Sequence, residues 1–185
     1  MGGDSELTPK GEYFAQKLNE FFQKEKELGK VNENTKIFTS TLKRGIATAE
    51  AIKIGSPIFH LKILDELNCG IFENLTHKEM TEKYPKEFKD RQNDKLSYRY
   101  PRGESYLDLI HRLEPIIFEV ERSKDPVIIV SHTCVLRCLY AYFSKHEIKE
   151  VPHLKLPSNT IFKLIPEAYF CYENRLEPLF IILIS

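Results

Sequence analysis

Apolar residues along this chain switch repeatedly between helical spacing and short continuous runs, which predicts helices interleaved with strands. Thr8-Pro9 opens the first helix, with an N-cap hydroxyl and a proline at the first helical position. Phe14, Leu18, Phe21 and Phe22 mark its inner face as far as Leu28-Gly29. Lys36-Ile37-Phe38-Thr39 reads as a strand ending in Ser40, and Leu42, Ile46, Ala49 and Ile52 follow at helical spacing. His60 to Leu64 reads as a second strand, running into the polar loop Asp65 to Gly70. From Leu75 to Tyr100 the chain is polar, with short helical pieces such as Thr76 to Lys83. The best helix runs from Ser105 to about Ser123, with Leu107, Ile110, Leu113, Ile116, Ile117 and Val120 inward.

Asp125-Pro126 ends that helix, and Val127-Ile128-Ile129-Val130 is a wholly apolar strand of the buried parallel kind. Another helix is expected over Thr133 to Phe143, then one or two terminal strands at Thr160–Ile165 and Tyr169–Tyr172. This alternation predicts an α/β layer fold with a mainly parallel sheet. In such sheets ligands bind beyond the carboxyl ends of the strands. The three best strands end at Thr39-Ser40, Asp65-Glu66 and Ser131-His132, so Arg44, Glu66 and His132 are expected on one rim. An arginine, a carboxylic acid and a histidine converging there suit phosphate chemistry.

At 185 residues the chain is read as one domain, 1–185. Lys+Arg and Asp+Glu both number 27, so no global charge draws it to nucleic acid or to a membrane. Cys69, Cys134, Cys138 and Cys171 form no CxxC pair, which favours buried free thiols and a cytoplasmic protein. The apolar run Leu179–Ile184 is too short to span a bilayer, and no signal peptide or P-loop is present.

Taken alone, Arg44 is a solvated arginine on a helix, His132 a histidine capping a strand end, and Asp65 competes with Glu66. The strings around them change the weighting. Thr39-Ser40-Thr41-Leu42-Lys43-Arg44-Gly45-Ile46-Ala47-Thr48-Ala49-Glu50, Leu64-Asp65-Glu66-Leu67-Asn68-Cys69-Gly70 and Val127 to Thr133 each resemble a motif of the histidine phosphatases. The stretch Arg91 to Tyr106, with Arg91, Lys95, Arg99 and Arg102, reads alone as a solvated helix face. It closely resembles the substrate lid of the fructose-2,6-bisphosphatase domain, which phosphoglycerate mutases and broad phosphatases lack. The likeness runs from Gly2 to about Tyr172.

This resemblance implies a three-layer αβα phosphoglycerate mutase-like fold and a phosphomonoesterase that takes fructose 2,6-bisphosphate to fructose 6-phosphate. It implies Arg44 and His132 as phosphoryl clamp and Glu66 as general acid. Arg91, Lys95 and Arg99 would hold the second phosphate and the sugar, with Gly2, Tyr84, Thr133 and Arg137 also bordering substrate. No cofactor or metal is implied, because the clamp neutralises the developing charge. The partner implied is a 6-phosphofructo-2-kinase domain or a second copy of the chain.

Two departures qualify these expectations. The family opens with a central strand ending in Arg-His-Gly, whose histidine attacks phosphorus; here Met1 directly precedes Gly2, and none of the other histidines has that context. An N-terminally truncated fold, lacking its first central strand, is therefore expected to be weakly stable or to recruit a strand from elsewhere, and its hydrolysis to be impaired. The alternative reading is a sugar-phosphate-binding or kinase-partner module that hydrolyses nothing. Thr133 also stands where the family usually has glutamine, and His77 where it often has tyrosine.

Overall fold

The computed structural model describes residues 2–166, 171–173 and 180–184. Among the described residues, six α-helices and six strands alternate much as the apolar periodicity predicts. Helix α1 is Pro9–Glu27, strand β1 Lys36–Thr39, helix α2 Lys43–Glu50 and strand β2 Ile58–His60. The polar middle holds α3, His77–Lys83, and α4, Pro85–Asn93. Then come α5, Tyr106–Arg122, β3, Val127–Ser131, and α6, Thr133–Phe143. The strands β4, Ile161–Pro166, β5, Cys171–Glu173, and β6, Phe180–Ile184, close the chain. Part of the strand expected over Tyr169–Tyr172 lies outside the described residues.

Caps written in the sequence fix several helix starts. The Thr8 hydroxyl accepts from the Gly11 amide at 3.2 Å. Thr76 with Glu79, and Ser105 with Asp108, form reciprocal capping boxes at the starts of α3 and α5.

The sheet order is β2-β1-β3-β6-β4-β5, parallel from β2 to β6 and antiparallel from β6 to β5. Alternate residues of each strand face opposite layers. Ile37, Ile128 and Val130 pack with Leu18 and Phe22 of α1 and Ala49 of α2. Phe38, Val127 and Ile129 pack with Leu109, Leu113 and Ile116 of α5 and Leu136 and Leu139 of α6. The result is the three-layer αβα arrangement.

Two details differ from the sequence reading. The second strand is Ile58–His60, and Lys62–Leu64 is a 3-10 turn, so Asp65-Glu66 leaves a turn and not a strand. Strand ladders need free carbonyls; those of Lys62, Ile63 and Asp65 are taken instead by the guanidinium of Arg112 on α5. The run Phe180–Ile184 pairs parallel with β3 and antiparallel with β4.

Candidate active site

The carboxyl ends of β1 and β3 lie side by side and deliver Ser40 and His132 to one rim. His132 is 1% exposed and its Nε2 lies 2.8 Å from the Ser40 hydroxyl. Its Nδ1 has no hydrogen-bond partner among the described residues. Burial, then the Arg44 and Arg112 guanidiniums, push its pKa down to about 3. The imidazole is thus neutral at ordinary pH, and its Nδ1 is a buried ring nitrogen without a partner among the described residues.

The backbone reaches this geometry because Gly45 lets α2 pass close to β1: a Cβ there would fall 2.3 Å from the Ser40 hydroxyl oxygen. Arg44, one residue earlier, donates to the Gly3 carbonyl at 2.8 Å and faces both Glu66 and His132. Gly2 adopts φ +60° and lies against Glu73, where a Cβ would come within 1.8 Å of the carboxylate. Glu73 accepts from the amides of Gly3 and Cys69 at 2.7 and 2.8 Å, tying the N-terminal segment to the loop that carries Glu66.

Glu66 accepts from the Leu67 amide at 2.9 Å. Burial raises its pKa against that hydrogen bond and the pull of Arg44. It borders a cavity of about 500 Å³ shared with Gly2, Asp4, Leu42 and Arg102. Asp65, its competitor in the sequence, is occupied by the Thr41 amide and hydroxyl at 2.7 and 2.9 Å.

A second basic group sits apart from Arg44. Lys95 donates to the Pro152 carbonyl at 2.7 Å, and its pKa is lowered by burial and then by Arg137 and Arg91. Arg137 donates to the Leu154 carbonyl at 2.7 Å and to the Tyr106 hydroxyl at 3.0 Å. Arg91 lies over the Tyr100 ring, 5.8 Å from its centroid, and donates to its hydroxyl. His77 opens α3 beside this group, its pKa lowered by burial, Arg91 and Lys95. Thr133 directly follows His132 at the start of α6.

Arg99 and Tyr84 have partners of their own. Arg99 pairs with Asp108 and is largely exposed. Helix α4 ends at Asn93, so the spacing from Arg91 through Lys95 to Arg99 no longer defines one helical face. Tyr84 bridges α3 and α4 and sets its ring edge-on to Phe72, with centroids 4.9 Å apart.

Arg112 and Glu104 were not singled out by sequence reasoning. Arg112 pairs with Glu104 at 2.8 Å, and Glu104 accepts from the Asn68 amide at 3.0 Å. Together with the carbonyls that Arg112 holds, both ends of the Glu66 loop are fixed to α5. No spacing announces this, because Arg112 lies 47 residues from Asp65.

The neutral state of His132 has a measurable consequence. Below pH 6.5 the unfolded chain protonates this histidine while the folded chain does not, until the pH approaches 3. Stability from this group is therefore fully present above pH 6.5 and is lost as pH falls toward 3, by up to about 1.4 kcal/mol per pH unit. Urea unfolding at pH 5, 6 and 7 is expected to show His132→Gln falling less steeply with acid than the wild type. Equal slopes would contradict a neutral buried His132.

Residues 1–170 match the Histidine phosphatase superfamily (branch 1), and the chain belongs to that family of phosphatases. Within it, the chain is 44% identical over 164 residues to a 6-phosphofructo-2-kinase/fructose-2,6-bisphosphatase of Arabidopsis thaliana, covering 89% of this chain and 22% of the relative. It is 43% identical over 171 residues to 6-phosphofructo-2-kinase/fructose-2,6-bisphosphatase 4 of Homo sapiens, covering 92% of this chain and 35% of the relative. The chain thus spans between a fifth and about a third of the length of these relatives. Among solved structures, Bacillus stearothermophilus YhfR is 28% identical with a TM-score of 0.77, over 96% of this chain and 88% of that one. An alpha-ribazole phosphatase from Shigella flexneri shares the fold, with a TM-score of 0.79 at 20% identity over 100% and 90% of the two chains.

Proposed function

We propose that this site recognises fructose 2,6-bisphosphate, with the 2-phosphate at Arg44 and His132 and the 6-phosphate at Lys95, Arg91 and Arg137. The observation that supports this reading is the presence of two cationic groups, Arg44 beside the buried carboxyl of Glu66 and Lys95 beside Arg91 and Arg137. A bisphosphate needs both groups; a monophosphate needs one. The names of the curated relatives support this choice of sugar. In this reading Arg44 neutralises phosphoryl oxygens, His132 lines the same rim, and Glu66 protonates the departing sugar oxygen at C2.

Hydrolysis by this chain is slow in this reading. Of the described histidines, His132 is set against Arg44. His111 and His146 pair with Glu114 and Glu150, and His60 ends edge strand β2. His77 lies with the distal basic group, and His153 ends the 3-10 turn Ile148–His153. These placements also favour the second reading, a module that binds the sugar phosphate without turning it over, alone or beside a kinase domain. The compartment proposed is the reducing cytoplasm, supported by the free thiols of Cys69, Cys134 and Cys138.

Incubation with fructose 2,6-bisphosphate labelled at the 2-phosphate tests turnover. Binding with far slower phosphate release than the human relative, and no acid-labile phosphoprotein, is the expected result. Release at the relative's rate would overturn the impaired reading.

A further inference from the structure

Ser40 and His132 meet where β1 and β3 end, and both residues are buried. The Ser40 hydroxyl lies 2.8 Å from the Nε2 of His132. The Leu42 amide, at the N-cap of α2, donates to the same hydroxyl oxygen at 3.4 Å. Gly45 keeps the space beside that oxygen clear, because a side chain there would collide with it. The hydroxyls on either side are not involved. That of Ser131 donates to the Leu64 carbonyl at 2.7 Å, and that of Thr39 has no partner among the described residues.

The direction of the hydrogen bond between Ser40 and His132 follows from counting donors and acceptors. Burial keeps the imidazole neutral, so it carries one N–H, on either Nδ1 or Nε2. With the proton on Nε2, the ring would donate to Ser40. The Ser40 O–H would then be buried without an acceptor among the described residues, and the Nδ1 lone pair without a donor. With the proton on Nδ1, Ser40 accepts from Leu42 and donates to Nε2, so its hydroxyl is satisfied in both roles. Of these two side chains, only the Nδ1–H is then left unpaired. Arg44 and Arg112 act on the ring through their charge, yet neither donates to Nδ1. Buried polar groups in folded proteins are nearly always paired, so the arrangement with fewer orphans is favoured.

We propose that Ser40 is a positioning residue that holds His132 in its Nδ1–H tautomer. Nε2 is thereby committed as an acceptor, and the Nδ1–H is the one proton the neutral ring can donate. The tautomer stands on the hydrogen bonds alone. Its use, as a donor to an oxygen of the sugar phosphate, rests on the function proposed above. In that use the orphaned N–H gains its partner when the ligand binds, with no proton to relocate first. The opposite tautomer would present a lone pair to the anion, and the two would repel.

The test is a nitrogen-15 spectrum of the full chain with labelled histidine, since proton-bearing and bare ring nitrogens resonate far apart. His132→Gln assigns the His132 signals. Without ligand, at neutral pH, the wild type is expected to show a protonated Nδ1 and a bare Nε2. Ser40→Ala should move the ring toward Nε2–H, the form that free histidine prefers. Ser40→Cys, which keeps a donor of similar size, should retain more of the Nδ1–H form. Fructose 2,6-bisphosphate should shift the Nδ1–H signal and leave the tautomer unchanged. A protonated Nε2 in the wild type overturns the proposal without recourse to any variant. So does a Ser40→Ala ring that stays wholly in the Nδ1–H form. Bound bisphosphate that leaves the Nδ1–H signal in place would overturn the use of that donor. Failure of the wild type to bind the bisphosphate would instead overturn the sugar-phosphate reading, and the ligand-free spectra would still decide the role of Ser40.

Discussion

Replacing Glu25 with alanine is expected to destabilise the protein by about 3–5 kcal/mol. Glu25 on α1 and Lys163 on β4 form an ion pair at 2.6 Å, and both residues are 7% exposed. The ammonium also lies 5.1 Å from the centre of the Phe21 ring, so little water reaches it. Removing the carboxylate leaves a buried charge uncompensated, a loss comparable to much of a domain's net stability of about 5–15 kcal/mol. Urea denaturation measures it. The double variant Glu25→Leu with Lys163→Met should recover most of the loss, because neither desolvated charge remains. The exposed pair Lys17–Glu20 on the outer face of α1 is the contrast. Breaking it should leave the unfolding midpoint within experimental error. A Glu25→Ala midpoint equal to that of Lys17→Ala would show that the buried pair contributes nothing.

The layers of the fold were legible because periodicity reports burial. Val127 to Val130 is apolar at every position since helices cover both faces of β3, and the helical stripe of α5 packs on one of those faces. Caps were equally legible, because Thr8, Thr76 and Ser105 act within three residues of themselves. Contacts made across the chain were not. The run Leu61 to Leu64 has strand composition, yet a guanidinium some fifty residues away claims its carbonyls and leaves a 3-10 turn.

Within the site, the rim residues Arg44, Glu66 and His132 could be placed together, because strand ends and helix starts fix where they emerge. Arg99 could not be placed, because its spacing from Lys95 has meaning only while a helix persists, and α4 stops at Asn93. Glu25 and Lys163, 138 residues apart, were unpaired in the sequence because no local pattern encodes that contact.

Arg44 and Lys95 are expected to act on different phosphates. A charged hydrogen-bond donor contributes about 1.5–3 kcal/mol, so losing either should weaken bisphosphate binding about 10–100-fold. Lys36→Met is the control, because Lys36 begins β1 at the end of the strand away from Ser40 and pairs with Glu119 at 2.6 Å. Its loss should leave ligand affinity unchanged.

The measurement that bears most directly on the two-phosphate site is calorimetric titration of the full chain with fructose 2,6-bisphosphate and with fructose 6-phosphate. The wild type should bind the bisphosphate at least about tenfold tighter, since only that ligand engages Arg44 as well as Lys95. Arg44→Ala should erase the difference, and Lys95→Met should weaken both ligands together. Equal affinity for the two sugars in the wild type, or a preference that survives Arg44→Ala, would contradict the account.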